Sequence, residues 1–544
     1  MIKWLQKIAT AVENSPTTFW LWLAAFSGII VLRLLVENWL ENFRNRSGLF
    51  LFYEFTHTFL FFLISYILFA ILINKVLKVE IKKAANVLLW GFLIIVTPPI
   101  IDFIISKGGG FWSFYKFDSL IGLIKRFFTF FGDKPEIGIT YGVRIEVALA
   151  IAFLFVYSLV KSKNTIKSLS LFFLSYLIFF VLGTFPSWIT IITSGFTKGF
   201  FAVTEIDIAQ MFLTPAKIFS REIPDIVSAL NIKMSLVYSL VLTAIILAGL
   251  YICQKDKVRS FIKNARYPQL IYHGGLLFIG AGLAYIFIGA SIEINFFNIL
   301  SFLVLLSSVF LAWLASVVSN DIYDQESDQF TSNKNRPLIK NIFSLEEYKT
   351  TGWMLFTASI FFAAVVNFKI VLLLIVYQAV AWIYSCPPLR LKRFAFVSTF
   401  VSSIASLMIL FSGYILISPE QNIKGIPFPL IALLVIGYTL TLPIKDLKDI
   451  EGDKKNGAWT VPVLFGEYWG KVAVGGGLFL SFIASVVIFN EFRLFWWALL
   501  CGAISFWIIL SSGQNKTIAY KRLPWWILGI ITIYGTILVK IIFF

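Results

Sequence analysis

The segment Asn320-Asp321-Ile322-Tyr323-Asp324-Gln325-Glu326-Ser327-Asp328 closes a long apolar run and carries aspartates three and then four residues apart. The same interval returns at Asp446, Asp449 and Asp453, again at the end of an apolar run. On an α-helix, positions i, i+3 and i+7 share one face, so each segment is expected to turn three carboxylates toward a common point. Six such groups repel one another unless cations intervene. Hard divalent ions of the magnesium class take oxygen ligands of this kind, commonly one or two carboxylates together with substrate phosphates. The spacing therefore predicts a metal and diphosphate site, able to assist departure of an allylic diphosphate by neutralising the leaving group. Lys and Arg residues nearby supply further donors to phosphate oxygens. By the same logic Asp324→Asn should leave the bundle folded and relieve repulsion in metal-free protein.

The elements that must position these residues are membrane spans. Of 544 residues, 59% are hydrophobic and only 14% charged, with 58 Phe and a mean hydropathy of +0.85, which is far from a soluble domain. The opening Met1-Ile2-Lys3-Trp4 leads into an apolar run without a small-residue cleavage pattern, so that run is expected to be a retained span. The formal charge of +17 sits in short loops between apolar runs, where orientation in the membrane explains it without nucleic acid. Cys253, Cys386 and Cys501 are far apart, and His57 and His273 are the only histidines. Thiolate and histidine-rich metal centres are excluded.

About six spans are expected in residues 1–265, near 16–36, 54–76, 86–106, 141–160, 166–190 and 234–252, and nine in residues 266–544. A basic break from Gln254 to Arg266 marks the junction. With nine spans, the loops after the second, fourth, sixth and eighth hold fifteen Lys or Arg, against Lys369, Lys424 and Arg493 in the opposite loops. That asymmetry puts both aspartate segments on the cytoplasmic side. In the first half Asp102, Asp118, Arg144, Glu146, Glu205 and Asp207 either meet headgroups at the interface or line a polar cavity. No motif there names a chemistry. Gly280, Gly282 and Gly475 to Gly477 read as close helix contacts.

Residues Asn320 to Asp328, continuing to Asn335-Arg336-Pro337-Leu338, resemble the first aspartate motif of the UbiA superfamily of intramembrane prenyltransferases. Asp446 to Asp453, with Gly457, Thr460, Val461-Pro462 and Gly466, resemble the second, and Tyr384-Ser385 with Pro387 to Arg393 resemble the loop between them. The resemblance covers roughly residues 266–544 and implies an all-α polytopic protein: about six N-terminal helices, then a nine-helix prenyltransferase bundle. It implies Mg²⁺-dependent transfer of a polyprenyl group from its diphosphate to an aromatic or lipid acceptor, in lipid or quinone biosynthesis, within a prokaryotic plasma membrane.

Asp321, Asp324, Asp328, Asp446, Asp449 and Asp453 would be metal ligands, and Asn320, Arg336, Arg390, Lys392 and Lys445 diphosphate contacts. Tyr384 would stabilise the cation or position the acceptor. Two alternatives remain open at this level. One is phosphoribosyl-type transfer to a polyprenyl phosphate; the other is a cation-coupled transporter, which the position of the acids at span ends disfavours.

Overall fold

The structure is a computed structural model that describes residues 2–40, 47–108, 113–132, 135, 138–289, 292–325, 336–448, 450–455, 457–513, 518–520 and 522–543. Among them, 15 helices are long and apolar enough to cross a membrane, six ending by Cys253 and nine beginning at Tyr267. The chain is a multi-pass integral membrane protein of all-α architecture. It forms two compact units: Met1–Lys217 with Glu222–Cys253, and Ile218–Arg221 with Gln254–Phe544. The junction falls at Gln254, upstream of the expected boundary at 266. The amphipathic helix Lys255–Lys263 folds with the second unit, where Asp256, Arg259 and Lys263 face its cavity.

In the first unit the spans are Phe19–Leu40, Gly48–Leu77, Ile81–Ile105, Tyr141–Ser162, Thr165–Gly183 and Ile226–Cys253. The fifth span ends earlier than expected. The segment expected at 166–190 breaks at Thr184, and a separate helix, Phe185–Lys198, starts with Pro186 in its first turn. Proline fits there because the first helical amides have no partner within the helix. The helix Ile2–Glu13 is anchored through Glu13, whose carboxylate accepts from Tyr157 Oη at 2.9 Å and Lys161 Nζ at 2.6 Å.

In the second unit, helix Tyr267–Ile288 crosses helix Val397–Ile417 at a pair of glycines. A Cβ on Gly280 would lie 1.9 Å from the Leu410 carbonyl oxygen, and one on Gly413 would lie 2.0 Å from that of Leu277. Without a hydrophobic effect between helices in lipid, such backbone approach is a main source of attraction. Gly475 and Gly477 also abut neighbouring helices, whereas Gly282 and Gly476 face open space, contrary to their expected role. Gly280→Val should therefore overpack this crossing, lowering stability by about 1–3 kcal/mol or more, while Gly282→Ala should be neutral. A thermal melt of each variant in detergent checks the difference.

Candidate functional site

A cavity of about 1590 Å³ opens in the second unit. Its polar wall carries Asn320, Asp324, Arg336, Tyr384, Arg390, Lys392, Lys445, Asp446 and Asp453, and its interior carries Tyr272, His273, Trp313 and Tyr377. The two aspartate segments, over a hundred residues apart in sequence, thus face one space. Asp328 and Asp449 lie outside the described residues.

The first segment departs from the shared helical face that spacing predicted. Helix Phe296–Tyr323 stops at Tyr323, and Asp324 caps it with φ −101° and ψ 7°, outside helical geometry. Asp324 N still donates to the Asn320 carbonyl at 3.0 Å, yet the two acids meet different surroundings. Asp321 is 2% exposed and is not part of the cavity wall. Its Oδ1 accepts from Arg266 Nη2 at 3.0 Å and Arg336 Nη1 at 2.9 Å, while its Oδ2 accepts from Tyr348 Oη at 3.0 Å and from Asn264 Nδ2. Both Asp321 oxygens are thus taken up by these donors.

Asp324 faces the cavity. Its Oδ1 accepts from Arg390 Nη2 at 2.8 Å and from Lys392 Nζ. Lys392 also donates to Asn320 Oδ1 at 3.2 Å, as does Ser385 Oγ at 3.2 Å. The loop that brings these cations in is held across the cavity: Trp459 N donates to the Arg393 carbonyl at 2.7 Å, beside a bridge between Phe394 and Trp459. The basic loop after helix Phe368–Ser385 and the loop after the second aspartate segment are thereby tied together by backbone.

The second segment is not a continuous α-helix either. Pro443 cannot donate an amide, and the chain tightens from helix Phe428–Thr441 into a 3₁₀ turn, Leu442–Lys448, that carries Lys445 and Asp446. Lys445 Nζ donates to Tyr384 Oη at 2.7 Å. Asp453 sits on the short helix Ile450–Lys455, where its Oδ2 accepts from Thr460 Oγ1 at 3.2 Å.

Deeper in, His273 Nδ1 contacts the Gln269 carbonyl at 2.6 Å and Nε2 lies 3.0 Å from Tyr377 Oη. A carbonyl only accepts, so Nδ1 carries the proton and Nε2 accepts from Tyr377. Both histidine nitrogens are used in packing the wall.

Arg266, Asn264 and Tyr348 were not singled out from sequence. Arg266 was read only as part of the basic break, and neither Asn264 nor Tyr348 lies at a motif spacing. Their connection to Asp321 exists only once three separate elements are packed. Among the predicted residues, Asn320, Asp324, Arg336, Tyr384, Arg390, Lys392, Lys445, Asp446 and Asp453 do come together.

Residues 275–533 match the UbiA prenyltransferase family. This part of the chain belongs to that family. The UbiA segment is 31% identical over 185 residues to 2-acyl-4-prenylphloroglucinol 6-prenyltransferase of Humulus lupulus, covering 31% of this chain and 42% of the relative. It is 29% identical over 183 residues to digeranylgeranylglyceryl phosphate synthase of Methanosphaera stadtmanae, covering 33% of this chain and 62% of the relative. Each alignment thus spans less than two thirds of the relative's length. Among solved structures, a UbiA homolog from Archaeoglobus fulgidus bound to GPP and Mg²⁺ is 18% identical with a TM-score of 0.40, covering 52% of this chain and 99% of that one. A UbiA homolog from Aeropyrum pernix is also 18% identical, with a TM-score of 0.37 and coverage of 50% and 98%.

In the UbiA segment the charges are paired, so the repulsion expected among its carboxylates is not what Asp324 meets. Burial alone would raise the Asp324 carboxyl, but Lys392, Arg390 and Arg336 hold it below the usual carboxylate range. A depressed folded pKa means that its stabilisation is complete above the unfolded value and is lost as pH falls through the folded one. Asp324→Asn should therefore lower the melting temperature of metal-free protein, by a loss of about 1–3 kcal/mol, and flatten its decline in acid below about pH 4. Asp321→Asn leaves Arg266 and Arg336 without their buried counter-charge and should cost more, about 3–5 kcal/mol. Melts of both variants from neutral pH to pH 3, with a chelator present, check the order and the slope.

Proposed function

We propose that the second unit transfers a polyprenyl group from its diphosphate to a hydrophobic or membrane-bound acceptor. The observation that carries this reading is one cavity with carboxylates on two sides, Arg and Lys between them, and an aromatic interior. Membership of the UbiA family and the names of the two relatives support it.

The oxygen donors Asn320, Asp324, Asp446 and Asp453 suit Mg²⁺, and the Archaeoglobus homolog was solved with that ion and GPP. Among the described residues no group of three His, Cys, Asp or Glu closes a metal cage. That fits an ion of this class, which is commonly held by one or two carboxylates plus phosphate oxygens. When bound, the ion supplies charge neutralisation of the departing diphosphate.

The chain's own groups do the rest. Arg390 and Lys392, held at the cavity wall by Asp324, offer donors to phosphate oxygens, and Arg336 is aimed by Asp321. The bond between the prenyl C1 and the bridging oxygen breaks, its electron pair leaving with diphosphate. The acceptor's electron pair then forms the new bond to C1, and the acceptor loses a proton. Tyr272, Trp313, Tyr377 and Tyr384 line the space where the allylic cation would form, shielding it from water and presenting ring faces. Basic loops on one side place this mouth at the cytoplasm by the charge rule. The relatives are named for an acylphloroglucinol and a glyceryl phosphate lipid, which supports an acceptor that partitions into the membrane.

Purified protein incubated with radiolabelled geranylgeranyl diphosphate, Mg²⁺ and a panel of phenolic and glyceryl phosphate acceptors should release diphosphate only when an acceptor is present. Asp446→Asn should reduce that release by about 100-fold or more, and a chelator should abolish it. Undiminished release in Asp446→Asn would overturn the assignment.

A further inference from the structure

The first unit contains a second polar cavity that the prenyl-transfer reading does not use. Its volume is about 520 Å³, and it lies among helices Phe19–Leu40, Gly48–Leu77, Tyr141–Ser162 and Ile226–Cys253 and the end of span Ile81–Ile105. Arg33, Glu37, Glu54, His57, Asp102 and Glu146 are its ionisable lining groups, with Tyr115 and Asn231 beside them. Each span residue is within nine positions of the same end of the unit: Arg33 before Leu40, His57 after Gly48, Asp102 before Ile105, Glu146 after Tyr141 and Asn231 after Ile226. That end is opposite the loops bearing Lys78, Lys82, Lys83, Lys161, Lys163 and Lys167. Five separate spans therefore bring polar side chains to one depth, where ionisable groups are costly to place.

Most of these groups are satisfied within the unit. Asp102 Oδ1 accepts from Gly142 N at 2.7 Å, and Thr140 bonds the same side chain. His57 bonds Tyr115 Oη and Asn231, and Tyr115 Oη lies 2.8 Å from Tyr238 Oη. Of the six acids and bases weighed from sequence in this half, Asp118 pairs with Arg126, Asp207 with Lys198, and Arg144 donates to the Gly132 carbonyl at 2.6 Å. Glu205 is 4.0 Å from Arg126. None of these four lines the cavity.

Two groups in the cavity are not satisfied. Glu146 is 7% exposed, and its carboxylate has no hydrogen-bond or ion-pair partner among the described residues. Arg33 is its charged neighbour, yet the two form no ion pair. The Arg33 side chain is 15% exposed, its guanidinium lies over the Phe62 ring, its closest carboxylate is Glu37 at 4.0 Å, and its buried Nε has no acceptor. A buried carboxylate without a partner, and a half-buried guanidinium whose one ion pair is the long contact to Glu37, are costly unless a ligand completes both. A metal ion does not complete them, since it would leave the guanidinium unanswered. The complement is a small zwitterion, with an ammonium for Glu146 and a phosphate or carboxylate for the Arg33 fork.

We propose that this cavity binds an ammonium–phosphate zwitterion of the phosphoethanolamine type, the ammonium on Glu146 and the phosphate on Arg33. The chemistry is shared by a lipid headgroup and a soluble phosphodiester, and the walls of Phe50, Phe61 and Phe62 accommodate either. The site stands independently of prenyl transfer in the second unit.

The test uses full-length, delipidated protein in detergent, titrated with glycerophosphoethanolamine, with ethanolamine alone and with glycerol 3-phosphate alone, reading the melting temperature. A parallel arm compares nanodiscs of phosphatidylethanolamine with nanodiscs of phosphatidylglycerol. Saturable stabilisation by the zwitterion in either arm, at least tenfold tighter than by either half-ligand or by phosphatidylglycerol, is the expected result. Stabilisation by the lipid alone identifies a headgroup site, and stabilisation by the soluble compound a diffusible ligand. Glu146→Gln and Arg33→Gln should each weaken binding at least tenfold with an unchanged gel-filtration profile. If either variant fails to fold, the half-ligand comparison on the parent protein still decides. No saturable binding in either arm, half-ligands as tight as the zwitterion, or folded variants that bind like the parent would overturn the proposal.

Discussion

Charge pairing at the aspartate-bearing end of the UbiA bundle is the constraint on which the site depends. Ionised groups cannot be placed inside apolar helices without partners, and here Asp321 and Asp324 each bond a different pair of cations, with Arg336 acting on both. Asp321 takes Arg266 and Arg336 inside the packing, while Asp324 takes Arg390 and Lys392 at the cavity wall. The first set fixes a helix start, a helix end and a loop to one another. The second holds two cations where phosphate oxygens would enter. Binding a diphosphate with its metal would exchange one set of opposite charges for another, so the wall need not gain or lose net charge in the open.

Backbone geometry decides which acid does which job. Had helix Phe296–Tyr323 continued, Asp321 and Asp324 would lie side by side and compete for the same cations. Asp321 lies within the helix and is buried among Arg266, Arg336 and Tyr348, while Asp324 caps it at the cavity. On the opposite wall Pro443 has an equivalent effect, tightening the chain into a 3₁₀ turn that presents Lys445 and Asp446. The backbone bond from Trp459 to Arg393 then sets the distance between the two walls independently of side-chain choice.

The same reasoning gives the first unit a different character. There the acids and bases seen in the sequence mostly resolve into local pairs, such as Asp118 with Arg126 and Asp207 with Lys198. Such pairs lock short helices to the segments beside them. Glu146 is the exception, and a buried carboxylate without a bonded partner is expensive to maintain for structure alone.

By itself the sequence determined the class of the protein, the division into six and nine spans, the repeated aspartate spacing and the family of its second half. These follow from local facts: apolar length against bilayer thickness, basic loops and contiguous motifs. It also named most residues of the cavity wall, because Asp324, Arg390, Lys392, Lys445 and Asp446 lie within those motifs. What only the tertiary structure decided was the direction in which each side chain points. Helix termination and a proline turn are short-range departures from the ideal period that spacing does not reveal. Asn264 and Arg266 in one connection and Tyr348 on another helix meet Asp321, and Arg33 and Glu146 come to one cavity from separate spans; juxtapositions of that kind arise only when helices pack.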